Sequence, residues 1–452
     1  MPDHAISQHP AVQAQLDRLS LLSPGRDTLG LERITALCER LGNPQDKLPP
    51  VFHVAGTNGK GSTCAFLRAA IEASGQSAHV YSSPHLVRFN ERIRVAGKLI
   101  DDELLAALLE EVLNSADGLE ASFFEVTTAA AFLAFSRTPA DACILEVGLG
   151  GRLDATNVIA QPAACGIAAL GIDHEGFLLS PEDNVPADPY DRIAFEKAGI
   201  AKADTPLIIQ KYRPSMQLEI AKQTMSVGAQ MVDRGDGWDA AAYEEQLHYR
   251  DDAGKLTLPL PRMKGAHQVD NAALATAMLR HQDAVSVPES AMAAAMEWTN
   301  WPARLQRLDD GPLTGSAPEA DIWIDGGHNA DAAEALRHFM RQESEGKHAK
   351  FNVILGMLAN KDAEIFIKTI APFVSSLRAI PIVGHEHHDP FKLAIIAKKA
   401  GISETGTAPN VEVAIAETEI RSRPGENYAP ILIAGSLYLA GEVLKANNQL
   451  PD

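Results

Sequence analysis

The stretch from residue 51 to residue 63 contains the groups that a nucleotide-binding loop needs. A short apolar run leads into a glycine-rich turn with Lys60 and several hydroxyl side chains, and residues 64–73 are predicted to form a helix. Glycine allows backbone N–H groups to approach phosphate oxygens, and the N-terminus of a helix favours an anion. Lys60 can neutralise β- and γ-phosphates, and a hydroxyl group can reach a magnesium ion. The order of strand, loop and helix therefore predicts a nucleotide phosphate site.

The spacing within this loop departs from the common nucleotide-binding pattern. That pattern has a longer interval between its glycines and places Ser or Thr directly after the lysine. Here only two residues separate Gly56 from Gly59, and Gly61 comes between Lys60 and Ser62. A glycine turn without a ligand is the alternative, but the strand before it and the helix after it favour a phosphate site.

Further chemically active side chains follow other predicted strands. Ligands in open α/β sheets bind at the carboxyl ends of the strands, and Ser82, Ser83, Glu146 and His174 each end or follow an apolar run. A glutamate in so apolar a run is costly to bury without a cation. Glu146 therefore indicates a Mg²⁺ site, with a buried salt bridge as the alternative. The histidine and the serines indicate a site only together with Glu146, because alone such residues are common in structural turns.

Lys197 lies in a partly apolar segment that is predicted to be helical. A lysine in such a helix usually extends its ammonium group to the surface. A functional role would need a depressed pKa, which favours the neutral amine. The residues themselves leave both interpretations open.

Length and composition limit the class of protein. A chain of 452 residues is too long for one ordinary core, so two domains are expected. The content of 46% hydrophobic and 22% charged residues is typical of a globular protein. The net charge of −19 argues against a nucleic-acid partner, because phosphate backbones require a basic surface. The same charge repels anionic substrates, so a phosphate site must concentrate its own positive groups.

Cysteine usage and the absence of a targeting pattern predict a cytoplasmic protein. The cysteines at positions 38, 64, 143 and 165 form no CxxC pair, and the last two lie in apolar runs, as buried thiols of a reducing compartment do. The first ten residues show no basic-then-apolar signal pattern. No apolar run approaches the roughly 18 residues of a membrane span, so no membrane partner is expected.

Strands and helices alternate along the chain, which predicts an α/β fold of two domains. In the first domain, residues 1–300, we predict strands at 51–55, 79–81, 142–147, 164–170 and 206–209, helices at 27–42, 64–73, 101–113 and 125–135, a hairpin at 246–250 and 255–260, and a closing helix at 269–279. This pattern favours a P-loop ATPase-type, mostly parallel sheet with helices on both faces. In a smaller, Rossmann-like second domain, residues 303–452, we predict strands at 321–324, 351–355, 379–383 and 430–434 and a helix at 332–342.

The motifs together resemble the folylpolyglutamate synthase/dihydrofolate synthase family of the Mur ligase superfamily. They are, in order, GTNGKGS, SSPHL, LEVGLGGRLDATN, IDH, EKAGI, HQxxNAALA and DGGHN, followed by GMLANKD and AGSLYLAGEV. The resemblance covers nearly the whole chain. It is specific, because Mur peptidoglycan ligases place Thr or Ser directly after the loop lysine, whereas the folate ligases have the additional glycine, here Gly61.

The resemblance implies a set of nucleotide and metal ligands. The implied ATP contacts are Gly56, Thr57, Asn58, Gly59, Lys60, Gly61, Ser62, Asn271, Arg304 and Asp325. The implied magnesium ligands are Ser83, Glu146 and His174. Lys197 matches the lysine that the family carbamylates with CO₂, so that the resulting anion helps to hold a second Mg²⁺. The expected cofactors are therefore ATP, two Mg²⁺ ions and CO₂ as a lysine carbamate.

The resemblance also implies an acceptor pocket and a reaction. The implied pterin-binding residues are Thr28, Leu29, Gly30, Ser82, Phe124, Leu153, Asp154 and Ala155. Phe124 offers a stacking face for a flat heterocycle, and plain packing at a helix start is its alternative. ATP would phosphorylate a pterin carboxylate, and the amine of L-glutamate would attack the acyl phosphate. Expected substrates are thus dihydropteroate, reduced folates and L-glutamate.

The proposed reaction and the negative net charge suggest further residues that could contact the substrates. His328 is a candidate catalytic contact to glutamate or the γ-phosphate, and Arg88, Arg92 and Arg94 could receive substrate carboxylates or form a solvated loop. Because Arg304 and Asp325 lie beyond the linker, domain closure is expected to assemble the ATP site. Members of the family are mostly monomeric, so a monomer is expected.

One departure and several alternatives accompany this interpretation. Residues 175–196 separate His174 from Lys197 by 22 positions, more than the family usually has, and the extra segment is acidic and proline-rich. A Mur-type peptidoglycan ligase, a folate ligase with only the polyglutamylating activity, and a nucleotide-dependent switch are the alternative functions. The histidine-rich residues 385–389 are too contiguous for a tetrahedral zinc site and lack cysteines, so we expect a polar loop there.

Overall fold

The computed structural model describes residues 5–22, 29–347, 350–421 and 429–452. The chain divides into two compact units. The first unit consists of Met1–Arg262 and Gln268–Asn300, and the second consists of Met263–His267 and Trp301–Asp452. Residues 263–267, which the sequence analysis places in the first domain, thus group with the second unit.

The first unit is built on an eight-stranded sheet whose long strands run parallel. Its strands are β1 (Val51–Ala55), β2 (Ala78–Tyr81), β3 (Ile93–Val95), β4 (Lys98–Leu99), β5 (Ala142–Glu146), β6 (Ala164–Ile167), β7 (Pro206–Ile209) and β8 (Gln230–Asp233). The order is β4-β3-β2-β5-β1-β6-β7-β8, and only the short β3 and β4 pair antiparallel. The predicted mostly parallel sheet is confirmed, and β1 lies between the strands that end at Glu146 and Ile167.

Helices alternate with these strands along the chain or follow them. They are α1 (Pro10–Ser20), α2 (Glu32–Arg40), α3 (Lys60–Ala73), α4 (Asp102–Ser115), α5 (Phe123–Arg137), α6 (Glu175–Leu178), α7 (Pro189–Ala198), α8 (Pro214–Val227), α9 (Ala266–Arg280) and α10 (Glu289–Trp298). Helix α3 begins four residues before the predicted start at residue 64, so the prediction of that boundary was wrong. Gly59 is in the left-handed region (φ 85°) at the N-cap, which turns the chain directly into the helix.

A separate antiparallel sheet follows in the first unit. The predicted hairpin is confirmed as β10 (Gln246–Asp251) and β11 (Gly254–Pro259), but β9 (Trp238–Tyr243) adds a third strand. The sequence of β9, WDAAAY, lacks the β-branched residues by which a strand is recognised. Helix α9 was also wrongly predicted to close the domain, because the alanine-rich α10 follows it and packs on α3.

The second unit has a six-stranded sheet in the order β12-β13-β17-β14-β15-β16. The strands are β12 (Gln306–Arg307), β13 (Ile322–Ile324), β14 (Phe351–Leu355), β15 (Val374–Ala379), β16 (Glu404–Thr407) and β17 (Ile431–Ala434), and the helices are α11 (Pro312–Gly315), α12 (Ala330–Lys347), α13 (Ala363–Ile370), α14 (Pro390–Lys399), α15 (Val411–Arg421) and α16 (Leu437–Ala446). The strand predicted at 379–383 was wrong. The observed β15 ends at Ala379, where the predicted strand begins. The sequence of β15 resembles a polar loop, because it contains Ser376 and Arg378, which are nevertheless buried.

Each unit has its own apolar core. In the first unit, the alanine-rich α5 packs against α2, α4 and the sheet, and Cys38 and Cys143 lie in this cluster. In the second unit, Phe339, Phe351 and Phe366 lie at the centre. The four cysteines are all free and buried, as the sequence predicts for two of them. Among the helices of the described ranges, none is long and apolar enough to cross a membrane.

Candidate active site

The phosphate loop connects β1 to α3 and is closed by its own lysine. Lys60 Nζ donates hydrogen bonds to the carbonyl oxygens of Gly56 (3.0 Å) and Thr57 (3.3 Å). Gly56 and Gly59 have φ angles of 153° and 85°, which side-chain-bearing residues rarely adopt. Gly61 and Ser62 lie buried in the first turn of α3. The loop thus wraps the ammonium group at the N-terminus of a fourteen-residue helix, where an anion is favoured.

Thr57 ties this loop to the segment that follows β6. Its backbone N–H donates to Ala169 O (2.8 Å), and its hydroxyl both donates to Gly171 O (2.8 Å) and accepts from the Gly171 N–H (3.1 Å). The N–H of Asn58 also donates to Ala169 O, at 3.2 Å. The Thr57 hydroxyl is therefore a structural group that fixes the loop against residues 169–171.

Asn271 of α9 is brought to the same loop. It is buried, and its Nδ2 donates to Gln268 Oε1 (3.0 Å) within the helix. Its Oδ1 lies so close to Gly59 that a Cβ on Gly59 would be less than 3.0 Å away. The structure therefore places Asn271, a predicted ATP contact, against the phosphate loop, although more than 200 residues separate it from Gly59 in the sequence.

Two of the three predicted metal ligands lie together. Strands β2 and β5 are parallel neighbours with Tyr81 opposite Leu145, so their carboxyl ends are side by side. The backbone N–H of Ser83 donates to Glu146 Oε2 at 3.4 Å, and Glu146 pairs in register with Val54 of β1, just before the phosphate loop. This edge of the sheet presents a hydroxyl and a carboxylate, which are oxygen ligands suited to Mg²⁺.

His174 is placed differently from the other two ligands. Strand β6 ends at Ile167, so His174 is in a loop beyond the strand and not at its end. Its φ of 54° is left-handed, its side chain is exposed, and its N–H donates to Asp173 Oδ1 (2.7 Å) at the start of the short α6. Across the described ranges, no group of three or more His, Cys, Asp and Glu side chains is arranged to hold a metal ion.

Lys197 is buried near the end of α7, so of the two interpretations left open by the sequence, the surface position is excluded. Its Nζ lies 3.5 Å from Gly150 O. Burial, and after it the positive charge of Lys60, lower the pKa of Lys197 to about 7, although the carboxylates of Asp173, Asp154 and Glu196 oppose this shift. A neutral amine is therefore accessible near pH 7, which is the condition that a carbamate requires.

Among the predicted pterin residues, Phe124 contacts the glycine-rich segment after β5. Thr28 lies outside the described residues, whereas Leu29 and Gly30 are partly buried just before α2. Phe124 lies half-buried in the first turn of α5, with its ring 5.9 Å from that of Tyr81. A Cβ on Gly148 would come within 3.0 Å of the Phe124 ring. The aromatic face and the segment after β5 are thus in direct contact.

Asp154 points into the protein. Its Oδ2 accepts from the Leu149 N–H (2.8 Å), and its Oδ1 accepts from the N–H (3.0 Å) and hydroxyl (2.5 Å) of Thr156. The Thr156 hydroxyl in turn lies 2.8 Å from Nε2 of the buried His53. Burial raises the pKa of Asp154. The buried carboxylate thus holds the Leu153–Ala155 segment in place through these hydrogen bonds. Ser82, another predicted pterin residue, is also buried, and its N–H donates to Arg92 O (3.0 Å).

The three arginines after β2 have unlike environments. Arg92 is buried, with its Nε donating to His85 Nδ1 (2.9 Å) and its guanidinium over the rings of Phe89 and Phe123. Arg88 is exposed, and Arg94 Nη1 donates to Gly97 O. The solvated-loop alternative is therefore wrong for Arg92.

In the second unit, Arg304 lies in a strained turn that is hydrogen-bonded to Asp325. Asp325 Oδ2 accepts from the buried N–H of Leu305 (2.8 Å), and its Oδ1 accepts from the N–H of Gly327 (2.7 Å). Arg304 is flanked by Ala303 and Leu305, whose φ angles of 58° and 43° are unfavourable for residues with a Cβ. The carboxylate of Asp325 therefore holds the turn that carries Arg304.

His328 and the histidine-rich loop lie in the same unit. His328 Nδ1 is 2.9 Å from Gly326 O. In the loop, His387 Nδ1 is 2.7 Å from His385 O and His388 Nε2 is 2.8 Å from Lys361 O. The rings of His387 and His388 thus lie at hydrogen-bond distance from backbone carbonyl groups, as expected for an ordered polar loop.

Sequence reasoning missed the charged residues that surround Lys197. Arg152 and Glu196 lie within the LEVGLGGRLDATN and EKAGI motifs, and the structure pairs them (2.9 Å). Arg192, one turn before Glu196, belongs to the same cluster. The i,i+4 spacing of Arg192 and Glu196 on a predicted helix is the signal that could have shown it.

Comparison with known proteins agrees with these motifs. Residues 313–446 match the family model described as the C-terminal domain of dihydrofolate synthetase. The chain is 33% identical over 357 residues to the dihydrofolate synthase/folylpolyglutamate synthase of Escherichia coli strain K12, covering 79% of this chain and 78% of that protein.

Solved structures resemble the whole chain. Escherichia coli FolC in complex with DHPP and ADP has a TM-score of 0.85 at 29% identity, covering 97% of each chain. The bifunctional folylpolyglutamate synthase/dihydrofolate synthase of Yersinia pestis, complexed with AMPPNP and Mn ion, has a TM-score of 0.82 at 27% identity, covering 96% of this chain and 97% of that one. The chain described here belongs to the dihydrofolate synthase/folylpolyglutamate synthase family.

Proposed function

We propose that this protein is an ATP-dependent ligase that joins L-glutamate to a pterin carboxylate. It converts dihydropteroate to dihydrofolate and adds further glutamates to reduced folates. The observation that carries the proposal is the burial of Lys197, with a pKa lowered to about 7, in the same unit as the phosphate loop and its Lys60. Membership of the ligase family supplies the reaction class.

The phosphate loop binds and orients the triphosphate of ATP. Backbone N–H groups at the start of α3 face the phosphates, and Lys60 exchanges its bonds to Gly56 and Thr57 for phosphate oxygens. Asn271 contacts the nucleotide from α9. The carboxylate oxygen of the acceptor attacks the γ-phosphorus, the bond to ADP breaks, and Lys60 stabilises the charge on the transferred group.

Ser83, Glu146 and His174 would hold Mg²⁺, and Lys197, as a carbamate formed with CO₂, would hold a second ion. The hydroxyl of Ser83 and the carboxylate of Glu146 fit a hard cation. When bound, the ions neutralise charge on the γ-phosphoryl group. The neutral amine of Lys197 provides the lone pair that CO₂ needs.

The acceptor lies along Phe124 and the Leu153–Ala155 segment, with Thr28, Leu29, Gly30 and Ser82 as further contacts. Arg304 and Asp325 are ATP contacts of the second unit, and His328 contacts glutamate or the γ-phosphate. The amine of L-glutamate attacks the acyl phosphate, forms the amide bond and releases phosphate. The protein works as a cytoplasmic monomer.

Release of ADP with L-glutamate and each acceptor in turn tests the proposal. Turnover that requires dihydropteroate or a reduced folate, with a product heavier by one glutamyl residue in mass spectrometry, is the expected result. Turnover with a reduced folate alone would assign only the polyglutamylating activity. ADP release without any acceptor, or only with a UDP-muramoyl acceptor, would contradict the proposal.

A further inference from the structure

We propose that four charged side chains, Arg152, Glu182, Arg192 and Glu196, form a ring that positions the acceptor segment against the Lys197 helix. Glu182, from the additional segment between His174 and Lys197, is the positioning residue that closes this charge ring. The inference rests on the proposed function, because it concerns the geometry between the acceptor and the metal-binding lysine.

The ring alternates in charge and is closed. Glu182 Oε2 accepts from Arg152 Nη2 and from Arg192 Nη2, each at 2.7 Å. Glu196 Oε1 lies 2.9 Å from Arg152 Nη2 and 3.0 Å from Arg192 Nε. Each carboxylate therefore bridges both guanidinium groups, and the four charges sum to zero.

Burial makes the members of the ring interdependent. The side chains of Glu196 and Arg192 are only 3% and 6% exposed, whereas those of Arg152 and Glu182 are 25% and 41% exposed. Removing one partner of a buried ion pair leaves an uncompensated charge. Loss of Glu182 leaves two arginines facing one carboxylate. Although an isolated exposed ion pair contributes little, this carboxylate completes the pairing of a buried guanidinium.

The ring joins the two elements that must meet in the reaction. Arg152 directly precedes Leu153, and its backbone N–H donates to Glu196 O at 2.7 Å. A Cβ on Gly151 would lie 2.8 Å from Glu196 O and 3.1 Å from Lys197 Cα. The segment that leads into the acceptor residues thus packs on α7 at the position of Lys197.

The additional segment is anchored at two points. Leu178 is buried, and a Cβ on Gly150 would lie 3.0 Å from its Cδ2. Glu182, four residues later, reaches Arg152 and Arg192. Gly150 also offers its carbonyl oxygen to Lys197 Nζ at 3.5 Å. The extra length between His174 and Lys197 therefore braces the residues on both sides of the lysine.

The test compares Glu182→Gln with Asp183→Asn. Asp183 is the exposed neighbour, so the control removes the same charge from the same segment without touching the ring. A small misplacement of reacting groups can cost about 10²-fold in rate. We expect Glu182→Gln to raise KM for the pterin acceptor roughly tenfold, with KM for ATP changed by less than about twofold. Glu182→Asp should recover part of this loss.

Hydrogen exchange supplies a readout that does not depend on turnover. The Arg152 N–H, which donates to Glu196 O, should exchange faster in Glu182→Gln than in the wild type and be unchanged in Asp183→Asn. An unchanged acceptor KM and unchanged exchange in Glu182→Gln would overturn the inference, as would equal effects in both variants or an equal rise in KM for ATP. A wild-type protein without acceptor-dependent turnover would instead contradict the proposed function, and hydrogen exchange would still decide whether the ring holds Arg152.

Discussion

The side-chain oxygen of Asn271 lies in the space that a side chain on Gly59 would occupy. The two residues belong to α9 and to the N-cap of α3, and a Cβ on Gly59 would come within 3.0 Å of Asn271 Oδ1. Gly59 is also left-handed, with φ 85°. The position therefore excludes a side chain for two independent reasons, one conformational and one steric.

Replacement of Gly59 by alanine should separate these two reasons when it is compared with Gly75→Ala. Gly75 has nearly the same φ, 84°, but no atom within 4 Å of its Cβ position. We expect Gly75→Ala to cost about 1 kcal/mol in the free energy of unfolding and Gly59→Ala about 1–3 kcal/mol more. Urea unfolding measures both. Gly59→Ala alone should weaken ADP binding in calorimetry, and equal effects of the two variants would contradict the steric contact.

Lys197→Ala should abolish most of the ligase turnover. Loss of the proposed carbamate ligand for Mg²⁺ would remove several kcal/mol of transition-state stabilisation, which corresponds to about 100-fold or more in kcat. Short carboxylic acids, which supply the missing oxygen atoms, should restore part of the activity of Lys197→Ala. Absence of rescue would leave the carbamate without support, and an unimpaired variant would rule out an essential role for Lys197.

Stability should fall in mild acid because of His53. Burial, together with the positive charge of Lys202, lowers the pKa of His53 to about 3, and its Nδ1 has no hydrogen-bond partner among the described residues. The folded protein therefore keeps His53 neutral, while the unfolded chain binds a proton below about pH 6.5. The free energy of unfolding should decrease from about pH 6.5 downwards, by about 2 kcal/mol from His53 at about pH 5.

His53→Gln is the control for this pH dependence. Glutamine does not titrate, and its side-chain amide can still donate to the Thr156 hydroxyl. Urea unfolding near pH 7.5 and about pH 5 should show a difference smaller by about 2 kcal/mol in His53→Gln than in the wild type. The same difference in both proteins would show that His53 does not cause the acid sensitivity.

Asp325→Asn should disturb the turn that carries Arg304. Both carboxylate oxygens of Asp325 accept hydrogen bonds from backbone N–H groups. In asparagine an NH₂ group replaces one of these oxygens, so it would face a backbone N–H, and two donors would meet. We expect a loss of about 1–3 kcal/mol in the stability of the second unit and a higher KM for ATP. Asp362→Asn is the matched control, since Asp362 is an N-cap that accepts from the Ile365 N–H and asparagine is an equally good cap. Equal losses in both variants would contradict a special role for Asp325.

Local sequence patterns predicted much of the fold and part of the site. Alternating apolar runs located β1, β2, β5, β6 and β7, and their order along the chain predicted a parallel sheet. The same topology brought Ser83 and Glu146 together, because parallel neighbours end at the same edge. These features follow from short-range periodicity and from one rule about sheets.

Features that depend on long-range partners were not predictable in this way. The inward direction of Asp154 is set by Leu149, Thr156 and the fold of the loop. The strand at 374–379 was missed because Arg378 is buried with Glu417 as an ion-pair partner, which no local pattern reveals. The burial of Lys197 also depends on distant residues, since composition alone favours a surface lysine.

The contacts around residues 148–151 limit how this region can diverge among related proteins. A methyl group at Gly148, Gly150 or Gly151 would displace the ring of Phe124, the side chain of Leu178 or the backbone of Glu196, each on a different helix. Because each of the three substitutions meets a different helix, no single rearrangement accommodates all of them. In a library randomised at these positions, selection for activity should return glycine, whereas Gly176, with no atom within 4 Å of its Cβ position, should accept other residues. The identity of these glycines is thus dictated by the elements around them.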